Sequence, residues 1–238
     1  MVASWWRHGG AGGGSPSRNR DTQGTPSAPA VPIVVVMLES GACPPRSRDR
    51  LYAAVTLGIA VLLLPVAFVR RPGRARLLAG GWALRLRYPA EDLTGLAEDA
   101  RTAFTAARTA ALWRHGQLIG LTSGYRSPLV QQRMFDVEVR RSGSPSSARR
   151  LVLPPTESQH VRGLALDVRP YEGARWLEAH GAAYGLHRTY DNEWWHFEYH
   201  PAGCGAPPPR RATPASFRRG SVTSCAQSGD TSGTGSRP

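Results

Sequence analysis

The chain has no lysine: all 30 of its basic residues are arginine. That absence excludes the SxxK and KTG motifs of active-serine peptidases and the GxxxxGK[ST] phosphate loop, which depend on a lysine amine. Cysteine is nearly as scarce. Cys43, Cys204 and Cys225 have no metal-ligand spacing, so a thiolate zinc site is excluded. Cys204 and Cys225 are left either as unpaired tail residues or as a pair in an oxidising compartment.

Acidic residues number 17, giving a formal net charge of +13, a balance that suggests a nucleic-acid partner. The distribution argues otherwise. Residues 1–87 hold 12 arginines against 3 acids and residues 201–238 hold 5 against 1, whereas residues 88–200 hold 13 of each. The centre is neutral, so no nucleic-acid partner is expected. Arginine-rich flanks suit anionic lipid or wall polymers equally well.

Charge is absent altogether from Leu51 to Val69, "LYAAVTLGIAVLLLPVAFV", a run of 19 residues between "RSRDR" and "RRPGRAR". That length spans a bilayer core as a helix. No AxA-like cleavage site follows, which places a membrane anchor ahead of a secretory signal peptide, and arginine clusters at both ends argue against a buried core helix. Sustained periodicity is also lacking in residues 1–50 and 203–238, rich in Gly, Ser, Pro and Arg; both segments are expected to be disordered. Residues 70–86 read as a linker. A single folded domain is therefore expected over 87–202.

Within it, "EDLTGLAEDARTAFTAARTAALWRHG" carries Leu93, Leu96, Ala100, Phe104, Ala107 and Ala111 at three- and four-residue steps, predicting a one-faced helix closed by Gly116. "QLIGLTS" predicts a strand, and "SPLVQQRMFDVEVRR" a helix with Ser127 as its cap and Pro128 in its first turn. Residues 141–156 read as a polar loop, 163–168 as a strand, 172–184 as a helix and 194–199 as a last strand.

In "GLALDV", Leu164, Leu166 and Val168 alternate with Gly163, Ala165 and Asp167, so the carboxylate faces away from the apolar side. A loop folding back over this strand would bring His160 to Asp167. In "EWWHFEY" the alternation puts Trp195, Phe197 and Tyr199 on one face and Trp194, His196 and Glu198 on the other. Glu193 can share a cleft with His196 only from a bend before the strand. Two histidines and a carboxylate suit Zn²⁺ and leave a fourth position for water. A neighbouring carboxylate outside the ligand set, Glu193, would serve as proton acceptor. Arg126, in the turn "SGYRS", could pair with a substrate carboxylate or a developing oxyanion. Each residue taken singly is more often a surface or core residue; their joint order carries the argument.

The set "SGYRS", "SQHVRGLALD" and "EWWHFEY" resembles the VanY-type D-alanyl-D-alanine carboxypeptidases and the related VanX-type dipeptidases, whose pattern is SxHxxGxAxD followed by ExWH. Ser158, His160, Gly163, Ala165, Asp167, Glu193, Trp195 and His196 occupy every fixed position. The resemblance implies one zinc ion per chain held by His160, Asp167 and His196, with Glu193 as catalytic base and acid and Arg126 stabilising substrate or transition state. It also implies substrate contacts from Gln131, Ser158 and Tyr199. Trp194 stands where VanY-type enzymes usually have proline and resembles the "EWWH" of the dipeptidases; the "SGYRS" turn and the spacing to Gln131 favour the carboxypeptidase side.

The expectation is thus an α+β domain, a small antiparallel sheet with packed helices, preceded by one transmembrane helix at residues 51–69. Its implied partner is a peptidoglycan stem peptide ending in D-Ala-D-Ala. The catalytic domain is expected outside the cell membrane, or secreted if residues 51–69 are a cleaved signal. The alternatives within the same motifs are a D-Ala-D-Ala dipeptidase, a peptidoglycan endopeptidase and a non-catalytic cell-wall-binding relative.

Overall fold

A computed structural model describes residues 47–201, 207 and 209–216. The expectations for residues 1–46, and for most of the tail beyond Pro201, lie outside the described residues.

The uncharged run forms most of α1 (Ser47–Arg70). The segment read as a linker does not behave as one: Ala75–Arg87 is a second helix, α2, running back along the first. Its small residues explain the difference. Ala75, Ala79 and Ala83 present a smooth face to Ala60 and Ala67 of α1, so the backbones approach closely without side chains to displace. Gly80 lies against α3 (Glu98–His115), where an added Cβ would meet Thr109 at 2.7 Å and Trp113 at 2.9 Å. The opposite side of α1 stays apolar and exposed, including Val55, Leu62, Val66 and Val69.

α3 begins at Glu98, five residues after Leu93, where the apolar spacing starts. Asp92 accepts hydrogen bonds from the backbone N–H and hydroxyl of Thr94, at 2.8 and 2.6 Å, and this local turn competes with helix. Gly95 then takes a left-handed φ of 73°, and Leu96 reaches the core from a loop. The far end closes at Gly116, left-handed at φ 59°, as expected of a C-terminal cap.

The sheet has four strands in the order β1-β2-β4-β3, all neighbours antiparallel. They are β1 (Gly120–Ser123), β2 (Ala165–Arg169), β3 (Leu186–Arg188) and β4 (His196–Tyr199). β3 is too short to leave a periodic signal and was not anticipated. Between β1 and β2 run α4 (Pro128–Ser142), capped by the Ser127 hydroxyl, and a one-turn helix, α5 (Pro145–Ala148), inside the expected polar loop. The predicted helix over 172–184 is α6 (Tyr171–His180) followed by a 3₁₀ turn, Gly181–Tyr184. α3 and α6 cover one sheet face, packing Phe104, Ile119, Leu166, Val168, Leu177, Leu186 and Phe197 into the core. The other face carries the polar cluster. Part of the expected disordered tail is ordered against the domain: Arg211 bridges to Tyr190, and Arg210 pairs with Glu178 and Asp191.

Candidate metal centre

Sheet register brings the polar residues together. Asp167 on β2 lies directly opposite His196 on β4, and Ala165 lies opposite Glu198. Side chains at i and i+2 share a face of a strand, so Asp167, His196 and Glu198 project to the same side, away from Leu166 and Phe197. The strand expected at 194 starts only at His196, because Trp194 and Trp195 form a turn. That turn is the anticipated bend, and it returns Glu193 to within 3.8 Å of His196 Nδ1.

His160 arrives from the turns that precede β2. Gly163 makes this possible: its φ is 69°, and an added Cβ would meet Gly95 O at 2.5 Å and Ala97 N at 2.8 Å. The His160 ring then hangs over β2 as the sequence suggested. Its Nδ1 lies 2.6 Å from Gly124 O, which assigns the proton to Nδ1 and directs the Nε2 lone pair at Asp167 Oδ1, 3.4 Å away. His196 turns its Nδ1 to the same oxygen at 3.0 Å. His160, Asp167 and His196 thus offer three donor atoms, all within 4.8 Å of one another and all on buried residues.

Arg126 reaches the cluster from the turn after β1. Its Nε donates to Ser123 Oγ at 2.8 Å, its Nη2 pairs with Asp167 Oδ2, and its Nη1 is 3.4 Å from Gln131 Oε1. Gln131 is only 2% exposed and donates to Leu153 O, so its side chain braces the arginine. Ser158 is buried in the turn before His160. Tyr199 is not brought to the cluster: it packs on the core side of β4, beside Gly185 and near Asp99. Glu198 received no role from sequence reasoning although the alternation had placed it on the face of His196. It is buried, and its Oε1 lies 3.2 Å from His196 Nε2.

The electrostatics are strongly divided. Burial lowers the His160 pKa and outweighs the attraction of Asp167, so this ring is neutral. Burial also opposes charge on Asp167, but the Arg126 guanidinium and the hydrogen bond from His196 hold its carboxyl well below the usual range. His196 is the reverse of His160: burial would lower it, yet hydrogen bonds to Asp167 and Glu198 hold it up at about 10. Glu193 has no such support, and burial pushes it up to about 7. A carboxylate that exchanges its proton near neutrality beside a ligand cluster is suited to general acid–base work.

A neutral imidazole, an ionised carboxylate and a second imidazole, held on strands and a braced turn, form a group that could hold a metal ion. Residues 94–202 match the family VanY, D-alanyl-D-alanine carboxypeptidase. Among solved structures, the chain is similar to a mutant of the vancomycin resistance D,D-pentapeptidase VanY from a VanB-type resistance cassette in complex with Zn(II): 25% identity, 46% of this chain and 76% of that one, TM-score 0.41. It is also similar to the LdcB LD-carboxypeptidase (27% identity, 44% and 58% coverage, TM-score 0.40) and to VanYB in complex with D-alanine-D-alanine (25%, 44% and 71%, TM-score 0.41). No curated protein matches the chain.

Proposed function

We propose that the chain is a zinc-dependent D-alanyl-D-alanine carboxypeptidase that removes the terminal D-Ala of peptidoglycan stem peptides. The observation that carries this reading is the carboxylate of Glu193, outside the donor set and 3.8 Å from His196 Nδ1, with a proton affinity near neutrality. The family match supports the substrate class.

The donors fit zinc: two imidazole nitrogens and one carboxylate oxygen are borderline-to-hard ligands, and three protein ligands leave a position open for chemistry. His160 Nε2, Asp167 Oδ1 and His196 Nδ1 would hold the ion. When bound, zinc supplies Lewis-acid polarisation at the scissile carbonyl. Glu193 takes a proton from the attacking water as its oxygen bonds to the carbonyl carbon. It returns that proton to the amine nitrogen as the C–N bond breaks, releasing D-Ala. Arg126, paired with Asp167 in the cluster, offsets negative charge on the reacting oxygen or on the substrate's terminal carboxylate. Gln131 positions Arg126 through the contact already described, and Ser158 is assigned a substrate contact by its motif position. No role is assigned to Tyr199.

The same proposal sets α1 in the cell membrane with the catalytic domain outside, where the wall peptides are. Its support is the exposed apolar side of α1 and the arginines at both ends; by length and composition the helix is a candidate span, and a signal segment passes the same test.

The test uses the full chain in detergent, loaded with Zn²⁺, offered a pentapeptide stem ending in D-Ala-D-Ala and free D-Ala-D-Ala in parallel. D-Ala release from the pentapeptide, reduced at least about a hundredfold in Glu193→Gln while the metal stays bound, is the expected result. Preference for the free dipeptide would move the protein to the dipeptidase branch, and release from neither would overturn the carboxypeptidase reading.

A further inference from the structure

Glu198 lies outside the donor set, yet it is one of the most enclosed charged groups in the domain, 4% exposed. An imidazole's two nitrogens point in widely divergent directions. Because His196 turns Nδ1 toward Asp167 and the donor cluster, Nε2 is aimed away from it, and Glu198 Oε1 stands there at 3.2 Å. The arrangement is built in. Ala165 opposite Glu198 in the sheet leaves room for the carboxylate, the Tyr190 hydroxyl donates to the same oxygen at 3.3 Å, and the Tyr190 ring lies 5.0 Å from that of His196. Oε2 faces His200 Nε2 at 3.8 Å. The other histidine has the same architecture with a different acceptor, its outward nitrogen being held by Gly124 O.

We propose that Glu198 is the positioning residue for the metal ligand His196, accepting the Nε2 proton so that Nδ1 is the nitrogen presented to the metal. This rests on the metal reading given above and deepens it. A carboxylate behind a ligating histidine fixes ring orientation and tautomer and raises the basicity of the ligating nitrogen. A backbone carbonyl, as behind His160, fixes the tautomer with less charge. The two histidines are therefore unequal ligands, and His196 is the stronger donor.

The experiment compares the full-length wild-type chain with Glu198→Gln and Glu198→Ala in detergent, each stripped of metal and titrated with Zn²⁺ against a chelating indicator at one fixed pH. Selective ¹⁵N labelling of histidine reports the tautomer in the loaded protein. Loss of the carboxylate weakens zinc binding about 10- to 100-fold, and loaded wild type keeps the His196 proton on Nε2 with the metal-shifted signal at Nδ1. Glu198→Gln keeps shape and an acceptor oxygen but loses the charge, so it remains informative if the alanine variant does not fold. Zinc affinity within twofold of wild type in Glu198→Gln, with only the melting temperature lowered, would show a purely structural carboxylate and overturn the assignment. So would a loaded wild type with its proton on Nδ1. A wild type that binds no zinc overturns the metal reading and this inference together, whereas zinc binding that is lost in His160→Ala but unchanged in Glu198→Gln overturns this inference alone.

Discussion

His160 and His196 lie with ring centroids 5.2 Å apart, yet burial makes one neutral while carboxylate hydrogen bonds keep the other protonated to about pH 10. Zinc must displace the His196 proton, whereas Asp167 and His160 already present lone pairs. Zinc affinity should therefore rise roughly tenfold per pH unit between pH 7 and 9; a flat profile in titrations at three pH values would contradict this. Glu193 makes a second prediction. Its folded pKa of about 7 lies above its unfolded value, so the native state binds the extra proton and metal-free stability falls as pH rises through the window from about 4.5 to 7. Glu193→Gln should be more stable than wild type at pH 8, by on the order of 1–3 kcal/mol, with the difference vanishing below about pH 4. In catalysis the sign reverses: the base must be ionised, so kcat/KM should fall on the acid side of about pH 7, or lower once a bound cation stabilises the carboxylate. The proposed ligands His160, Asp167 and His196, which the structure brings together, and the proposed base Glu193 could be picked out in the sequence because their spacing is local. Glu198 was visible only as a residue on the correct face.

At the scale of elements, the site depends on how the turns before β2 and the loop before α3 lock together. Ala97 N donates to Gly163 O at 3.0 Å, and Gly163 packs so tightly on Gly95 that a side chain has no room. Gly163→Ala combines a positive φ with a backbone clash, so a loss of about 2–3 kcal/mol and displacement of His160 are expected; denaturant melts and zinc titration read the two effects. Behind the sheet, Glu91 accepts from Leu121 N at 2.6 Å and from Arg108 at 2.8 Å, with the ion pair almost wholly buried. Arg108→Ala leaves that carboxylate uncompensated and should cost about 3–5 kcal/mol in chemical denaturation. The periodicity of α3 was legible, but its start was not. A local Asp92–Thr94 turn and a left-handed glycine outweighed a continuing apolar rhythm, and that competition is settled by contacts with Gly163, distant in sequence.

For the whole molecule, α1 connects fold and location. Its alanine side packs on α2, which in turn holds α3 through Gly80 and through a hydrogen bond from Trp113 Nε1 to Arg76 O at 2.8 Å. A chain shortened to begin at Ala75 would expose Ala79, Ala83, Leu84 and Tyr88, so it should melt lower and aggregate more readily than one beginning at Ser47 in detergent, as light scattering during a thermal ramp would show. For the proposed anchor, alkaline carbonate should leave the full chain in the membrane pellet, and protease added to wall-stripped intact cells should cleave the catalytic domain. A domain protected until lysis would reverse the proposed orientation.

From the sequence alone came the polar residues that gather in one cluster, the neutral centre between basic flanks, the long uncharged helix and the alternation that separates an apolar from a polar strand face. These follow from composition and from periods of two and 3.6 residues, which are local properties of the chain. Tertiary structure alone decided that the supposed linker is a packed helix, that part of the tail joins the domain, that Tyr199 faces the core and that Gln131 braces Arg126. It also decided which nitrogen each histidine offers. Those outcomes depend on register between strands and on close backbone approach at Gly80 and Gly163, where partners are far apart in sequence and the fit of small residues determines which surfaces meet.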